Sequence, residues 1–103
     1  MATTRKKANK NRLVIEGELT IYVAAELKEK IAALLAAEDA AEIDLSQTSE
    51  IDTAGLQLLL LAKSESDRLN KTIAFSQPSE AVLECWQLCN VSEFFGANAA
   101  SAR

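Results

Sequence analysis

Six residues, Ile51-Asp52-Thr53-Ala54-Gly55-Leu56, constrain this chain more than any other stretch. They follow a strand-like run, Glu42 to Ser46, and lead into a Leu-rich, helix-like run from Gln57 to Asn70. Asp52 and Thr53 are both good helix N-cap types, the small pair Ala54-Gly55 lets another surface approach closely, and Leu56 begins the apolar stretch. The pattern predicts a strand, a polar loop, and a helix starting at Asp52 or Thr53. Free N–H groups at a helix start tolerate added negative charge, so a phosphate on Thr53 is compatible with an intact helix beneath it. The plainer reading of Asp-Thr is a helix cap and nothing more.

A chain of 103 residues makes one domain with a single core, and 49% hydrophobic with 25% charged residues is a globular composition. The net charge of -4 conceals an asymmetry. Arg5, Lys6, Lys7, Lys10 and Arg12 put all the charge of the first twelve residues on the positive side, and the remainder sets six cations against 15 acidic residues. An acidic body repels phosphate backbones and anionic lipid, so direct nucleic-acid contact and membrane insertion are not expected. Residues 1–11 read as a basic, flexible arm, or as a weak edge strand if Thr3 to Lys7 pairs back across Ala8 to Asn11. Residues 97–103 read as a disordered tail. The basic start has no signal-like apolar region after it, and the longest apolar run, Leu58 to Ala62, is too short to span a bilayer. A cytosolic protein is expected.

Enzyme chemistry finds little support. The chain has no His, which removes Ser-His and Cys-His pairs, and its three glycines, Gly17, Gly55 and Gly96, form no phosphate-cradling loop. Asp44 with Asp52, or Glu50 with Asp52, reads as solvated loop charge rather than an acid–base pair. Cys85 and Cys89 share one face of a predicted helix but have no His or second Cys pair to complete a zinc site, so they read as buried, reduced thiols. No catalytic residue, cofactor or metal is expected.

Along the chain, Leu13 to Leu19 predicts a strand with Gly17 at a bulge or bend. From Val23 to about Ala37, Leu27, Ile31, Leu34 and Leu35 mark an amphipathic helix. Glu42 to Ser46 and Thr72 to Ser76 predict strands on either side of the second helix. Pro78 then breaks the chain, and Ser79 caps a third helix with Val82, Leu83, Trp86 and Leu88 on its apolar face. Val91 to Phe95 forms a last apolar turn stopped by Gly96. The alternation implies an α/β fold whose later strands are parallel. On the second helix, Gly55, Leu58, Leu59, Ala62, Ser66 and Leu69 gather on one side, expected to face the sheet. Thr53, Gln57, Leu60, Ser64, Asp67 and Lys71 gather on the other, with Leu56 at the border. Leu56 and Leu60 below the Thr53 hydroxyl are either ordinary exposed leucines or part of a docking face.

Three runs, Glu16-Gly17-Glu18-Leu19, Ile43-Asp44-Leu45-Ser46 and Ile51 to Leu56, resemble the STAS domain, the fold of bacterial anti-sigma factor antagonists. The resemblance implies a single α/β domain over 12–96, with a mixed sheet of four to five strands and about four helices. It makes Thr53 the acceptor for a Ser/Thr kinase that is also the anti-sigma factor, with a metal-dependent phosphatase reversing the step. Asp52 and Ala54 belong to the recognition loop, Gly55 is the close-approach residue, and Leu56, Gln57, Leu60 and Ser64 extend the partner surface. The unmodified form is the one that binds. The family's acceptor is most often Ser where this chain has Thr53, and a position that is often acidic reads Thr20. The Asp-Thr-small-Gly-Leu variant also resembles STAS proteins that are accessory subunits of lipid-transporting ABC systems, and others found with chemotaxis or biofilm signalling. Nucleotide binding at the same helix start is a third, weaker reading, opposed by the missing glycine cradle.

Overall fold

The computed structural model describes residues 11–96. The proposed edge strand at Thr3 to Lys7 and the tail from 97 lie outside them. Five strands, β1 (Arg12–Val14), β2 (Gly17–Leu19), β3 (Ala40–Asp44), β4 (Thr48–Ile51) and β5 (Thr72–Ser76), alternate with three helices, α1 (Ile21–Ala37), α2 (Thr53–Arg68) and α3 (Glu80–Leu88). One sheet has the order β1-β3-β5 and the other pairs β2 with β4, and among the described residues every pairing is parallel. The class is the expected α/β. The described residues hold three helices, and the Val91 to Phe95 segment is the turn expected there.

Two corrections concern the strands. Leu13 to Leu19 is two strands in different sheets, because Gly17 adopts a positive φ of 86° and turns the chain between them. The stretch read as a polar loop before Ile51 contains β4. Its polar residues are satisfied by pairing with β2, and the buried Thr48 hydroxyl donates to the Ile15 carbonyl at 2.9 Å. Backbone bonds from Ile15 N–H to the Asp44 carbonyl and from Gly17 N–H to the Gln47 carbonyl carry the hydrogen bonding across the bend between the two sheets.

Each helix begins at a side-chain cap. Thr20, Asp52 and Ser79 accept from Tyr22, Gly55 and Val82 N–H groups respectively. The ends of α2 and α3 are alike. Asn70 and Asn90 adopt φ of 59° and 61°, and the next residue's N–H reaches back to the carbonyls of Ser66 and Trp86, the Schellman arrangement with Asn in place of Gly.

Leu27, Ile31 and Leu35 of α1 and Leu58, Leu59 and Ala62 of α2 bury against Ile15, Ile43 and Ile73. Behind α3, Trp86 stacks on Phe95 with centroids 4.4 Å apart, and Phe95 meets Phe75 edge-on at 5.0 Å. These rings anchor the last turn. On the other side of β3, Arg12 pairs with the buried Asp44 and lies 3.6 Å from Glu42, which accepts from Ser76. Burial by itself raises the Asp44 carboxyl, but hydrogen bonds from Ser46 and Arg12 outweigh it and hold the group below its ordinary 3.8.

The α2 face assignment needs amendment. Leu56 is buried rather than at a border, Leu60 is half-buried against the core, and Leu69 is 37% exposed instead of facing the sheet. We therefore expect Leu59→Ala to cost roughly 2–4 kcal/mol, Leu60→Ala about 1–2 kcal/mol, and Leu61→Ala under about 1 kcal/mol, read from urea unfolding midpoints. A group with a lowered folded pKa stabilises above its unfolded pKa and loses that contribution as pH falls through the folded value. Stability is expected to decline as pH drops below about 4, and more shallowly in Asp44→Asn, which denaturation at stepped pH measures.

Candidate functional site

The start of α2 is fixed by three local contacts. Asp52 accepts from Gly55 N–H at 2.9 Å through one oxygen and from Ile21 N–H at 3.1 Å through the other, so one carboxylate caps α2 and binds the first residue of α1. Those two bonds hold the Asp52 carboxyl below its ordinary value of 3.8 and keep it charged. Asp52 N–H in turn donates to the Leu19 carbonyl at 3.3 Å.

Gly55 is required by the same junction. A Cβ built on it would sit 2.1 Å from the Leu19 carbonyl oxygen, a distance no side chain tolerates. The surface that approaches this glycine is the chain's own β2 backbone, and Gly55 is buried. Its smallness serves the fold rather than lying open to a partner.

Thr53, the first residue of α2, is exposed, and among the described residues its hydroxyl makes no hydrogen bond. On one side it borders an open groove of about 360 Å³ between α2 and α3, whose lining includes Glu50, Asp52, Leu56, Glu84 and Leu88. Ala54, Gln57 and Leu60 line a different depression, shared with Ala24, Ala25 and Lys28 of α1. The predicted set is thus divided. Asp52, Thr53 and Leu56 belong to the α3 side, Ala54, Gln57 and Leu60 to the α1 side, and Ser64 is exposed about one turn beyond Leu60 along α2.

Sequence reasoning missed the groove's other wall. Leu88, read as part of the buried face of α3, is 81% exposed, and Glu84 is exposed one turn before it. Helical spacing carried the signal, since Leu88 lies about 200° around the helix from Trp86. Ile21 and Tyr22, 64% and 87% exposed, open α1 directly beside Asp52. The cysteines also differ from expectation: Cys85 is half-buried and Cys89 exposed, both on the α2–α3 groove. Burial, followed by the neighbouring Cys89 and the charge of Asp52, pushes the Cys85 thiol up, so it is protonated at neutral pH. Among the described residues no three His, Cys, Asp or Glu side chains are grouped to hold a metal, and no helix is long and apolar enough to cross a membrane.

The family described as "Mlab, STAS domain" matches residues 2–96. This chain belongs to the STAS family. Among solved structures, the STAS fold found here is similar to a putative anti-sigma factor antagonist (tm1081) from Thermotoga maritima, at 20% identity over 84% of this chain and 78% of that one, with a TM-score of 0.71. The anti-sigma factor antagonist SpoIIAA in its unphosphorylated form matches at 20% identity over the same shares of each chain, with a TM-score of 0.67. A part of SLC26A9 matches at 13% identity over 81% of this chain and 16% of that chain, with a TM-score of 0.69. At these identities the likeness is one of fold. No curated protein sequence matches the chain.

The Gly55 contact yields a direct test. Gly55→Ala is expected to destabilise the STAS domain by at least about 2 kcal/mol, because the helix start must move off β2, whereas Ala54→Gly costs no more than about 1 kcal/mol. Thermal unfolding of the two variants followed by circular dichroism checks the difference.

Proposed function

We propose that this chain is a non-enzymatic, cytosolic protein-binding switch, which docks a regulatory partner through the Thr53 end of α2 and releases it when Thr53 is phosphorylated. The observation that carries the reading is the exposed, unbonded Thr53 hydroxyl on a helix start pinned by Asp52 and Gly55. A modification there changes the surface without loosening the junction below. The partner class is an anti-sigma factor or regulatory Ser/Thr kinase, with a phosphatase of the same module restoring the binding form. The similarity to SpoIIAA, solved in unphosphorylated and phosphorylated forms, supports this reading. Phosphorylation adds about -1.5 to -2 charge beside Glu50, Asp52 and Glu84, charge that docking must strip of water at the centre of the contact. The helix dipole offsets part of the same charge within the fold.

A second reading is a constitutive subunit of an ABC-type lipid transport complex, with Thr53 packed against an ATPase and never phosphorylated. Two observations favour it: the matching family is described as Mlab, STAS domain, and three carboxylates around Thr53 oppose an added phosphate.

Purifying partners from the source cells with unmodified protein and with Thr53→Glu separates the readings. The switch predicts recovery of a kinase that transfers one phosphate to the protein, detected by intact mass and absent in Thr53→Ala. Thr53→Glu is expected to lose that partner while changing stability by less than about 1 kcal/mol. Recovery of an ATPase and a permease with no phosphate on Thr53 favours the transport complex, and a phosphate mapped to Ser46 or Thr48 overturns the acceptor assignment.

A further inference from the structure

The geometry points to a cationic, amphipathic protein segment as the occupant of the Thr53 face, anchored by Ile21, Tyr22 and Leu88 rather than by the outer face of α2. This inference rests on the docking reading and specifies the partner's chemistry.

Three large apolar side chains are exposed on the elements that flank the Asp52–Thr53 helix start. Leu88 rises from the far wall of the α2–α3 groove, and Ile21 and Tyr22 open α1, where the Ile21 N–H is bound to Asp52. Isolated exposed leucines need no explanation, but three bulky exposed residues on the α1 start and the groove wall that flank this helix start form a candidate contact patch. A Tyr side chain at such a centre supplies anchoring area at low conformational cost.

The surrounding charge is of one sign. Glu50, Asp52 and Glu84 line the groove together with Leu88, and among the described residues no Lys or Arg does. The first cations along α1 and α2 are Lys28 and Lys63, seven and ten residues past the helix starts, roughly 10 and 15 Å along each axis. α3 has none. Asp52 is held ionised by its two backbone donors. The same face of a second copy would present carboxylates to carboxylates, and anionic lipid is repelled in the same way. The complementary surface carries apolar side chains to meet Leu88 and Tyr22, with Lys or Arg facing the rim.

Two synthetic helical peptides of equal length serve as probes, each with Leu along one face and either Lys or Glu along the other. Titrated into the isotope-labelled full chain, the Lys–Leu peptide is expected to shift amide resonances around Ile21, Thr53 and Leu88. Binding should weaken about tenfold or more in Leu88→Ser and at least about fivefold in Glu50→Lys/Glu84→Lys, which in turn gains affinity for the Glu–Leu peptide. Raising the salt concentration should weaken the Lys–Leu complex. Equal binding of both peptides, no binding of the Lys–Leu peptide, or shifts confined to the groove around Leu61 overturns the inference. So does self-association of the chain that is lost in Leu88→Ser, which assigns the patch to a second copy. Any of these results alongside Thr53-dependent partner recovery leaves the docking reading intact and rejects only the cationic occupant; binding of the Lys–Leu peptide that Thr53→Glu leaves unchanged or tightens tells against the docking reading itself, in which desolvation of the added charge outweighs its attraction for the peptide's cations.

Discussion

The contact between the first turn of α2 and the end of β2 organises this molecule. With no side chain on Gly55, the helix start rests on the Leu19 carbonyl, and the Asp52 carboxylate closes the junction by binding Gly55 and Ile21 N–H groups at once. Two helix starts and one strand end are thereby locked together. An ionised acceptor shared by two orphan N–H groups is a stronger tie than a neutral cap, and it sets the orientation of Thr53 without touching its hydroxyl.

Behind this junction, the Trp86, Phe95 and Phe75 rings hold α3 against the body, so the groove beside Thr53 has two fixed walls. What remains outside is consistent in kind. The end of the molecule that bears the starts of α1 and α2 presents exposed apolar residues and carboxylates, while the cations of these two helices lie further along them. Such a surface discriminates among partners mainly through charge and a few apolar anchors.

Much of the fold was legible because its signals are local. The caps at Asp52 and Ser79, the period of Leu27, Ile31 and Leu35, and the β-branched Thr72 to Ser76 run each act within a few residues. β4 was not legible, because Thr48-Ser49-Glu50-Ile51 is a strand only through its ladder with β2, and its composition alone reads as loop. The candidate site was half legible. The Thr53 hydroxyl and its acidic neighbours could be named in advance, whereas the leucines beside it were sorted to the wrong depths: Leu56 and Leu60 are covered and Leu88 is not.

The sequence by itself determined where α2 and α3 start, the α/β alternation, the acidic body and the presence of a hydroxyl at a helix N-terminus, since these follow from hydrogen bonds and periodicities spanning one to four residues. Only the tertiary structure decided that Gly55 meets Leu19, that Ile21 meets Asp52 across 31 residues, and that Leu88 faces solvent. Burial depends on which other element covers a face, and a helical period fixes the relative angle of two side chains without saying what lies opposite either of them.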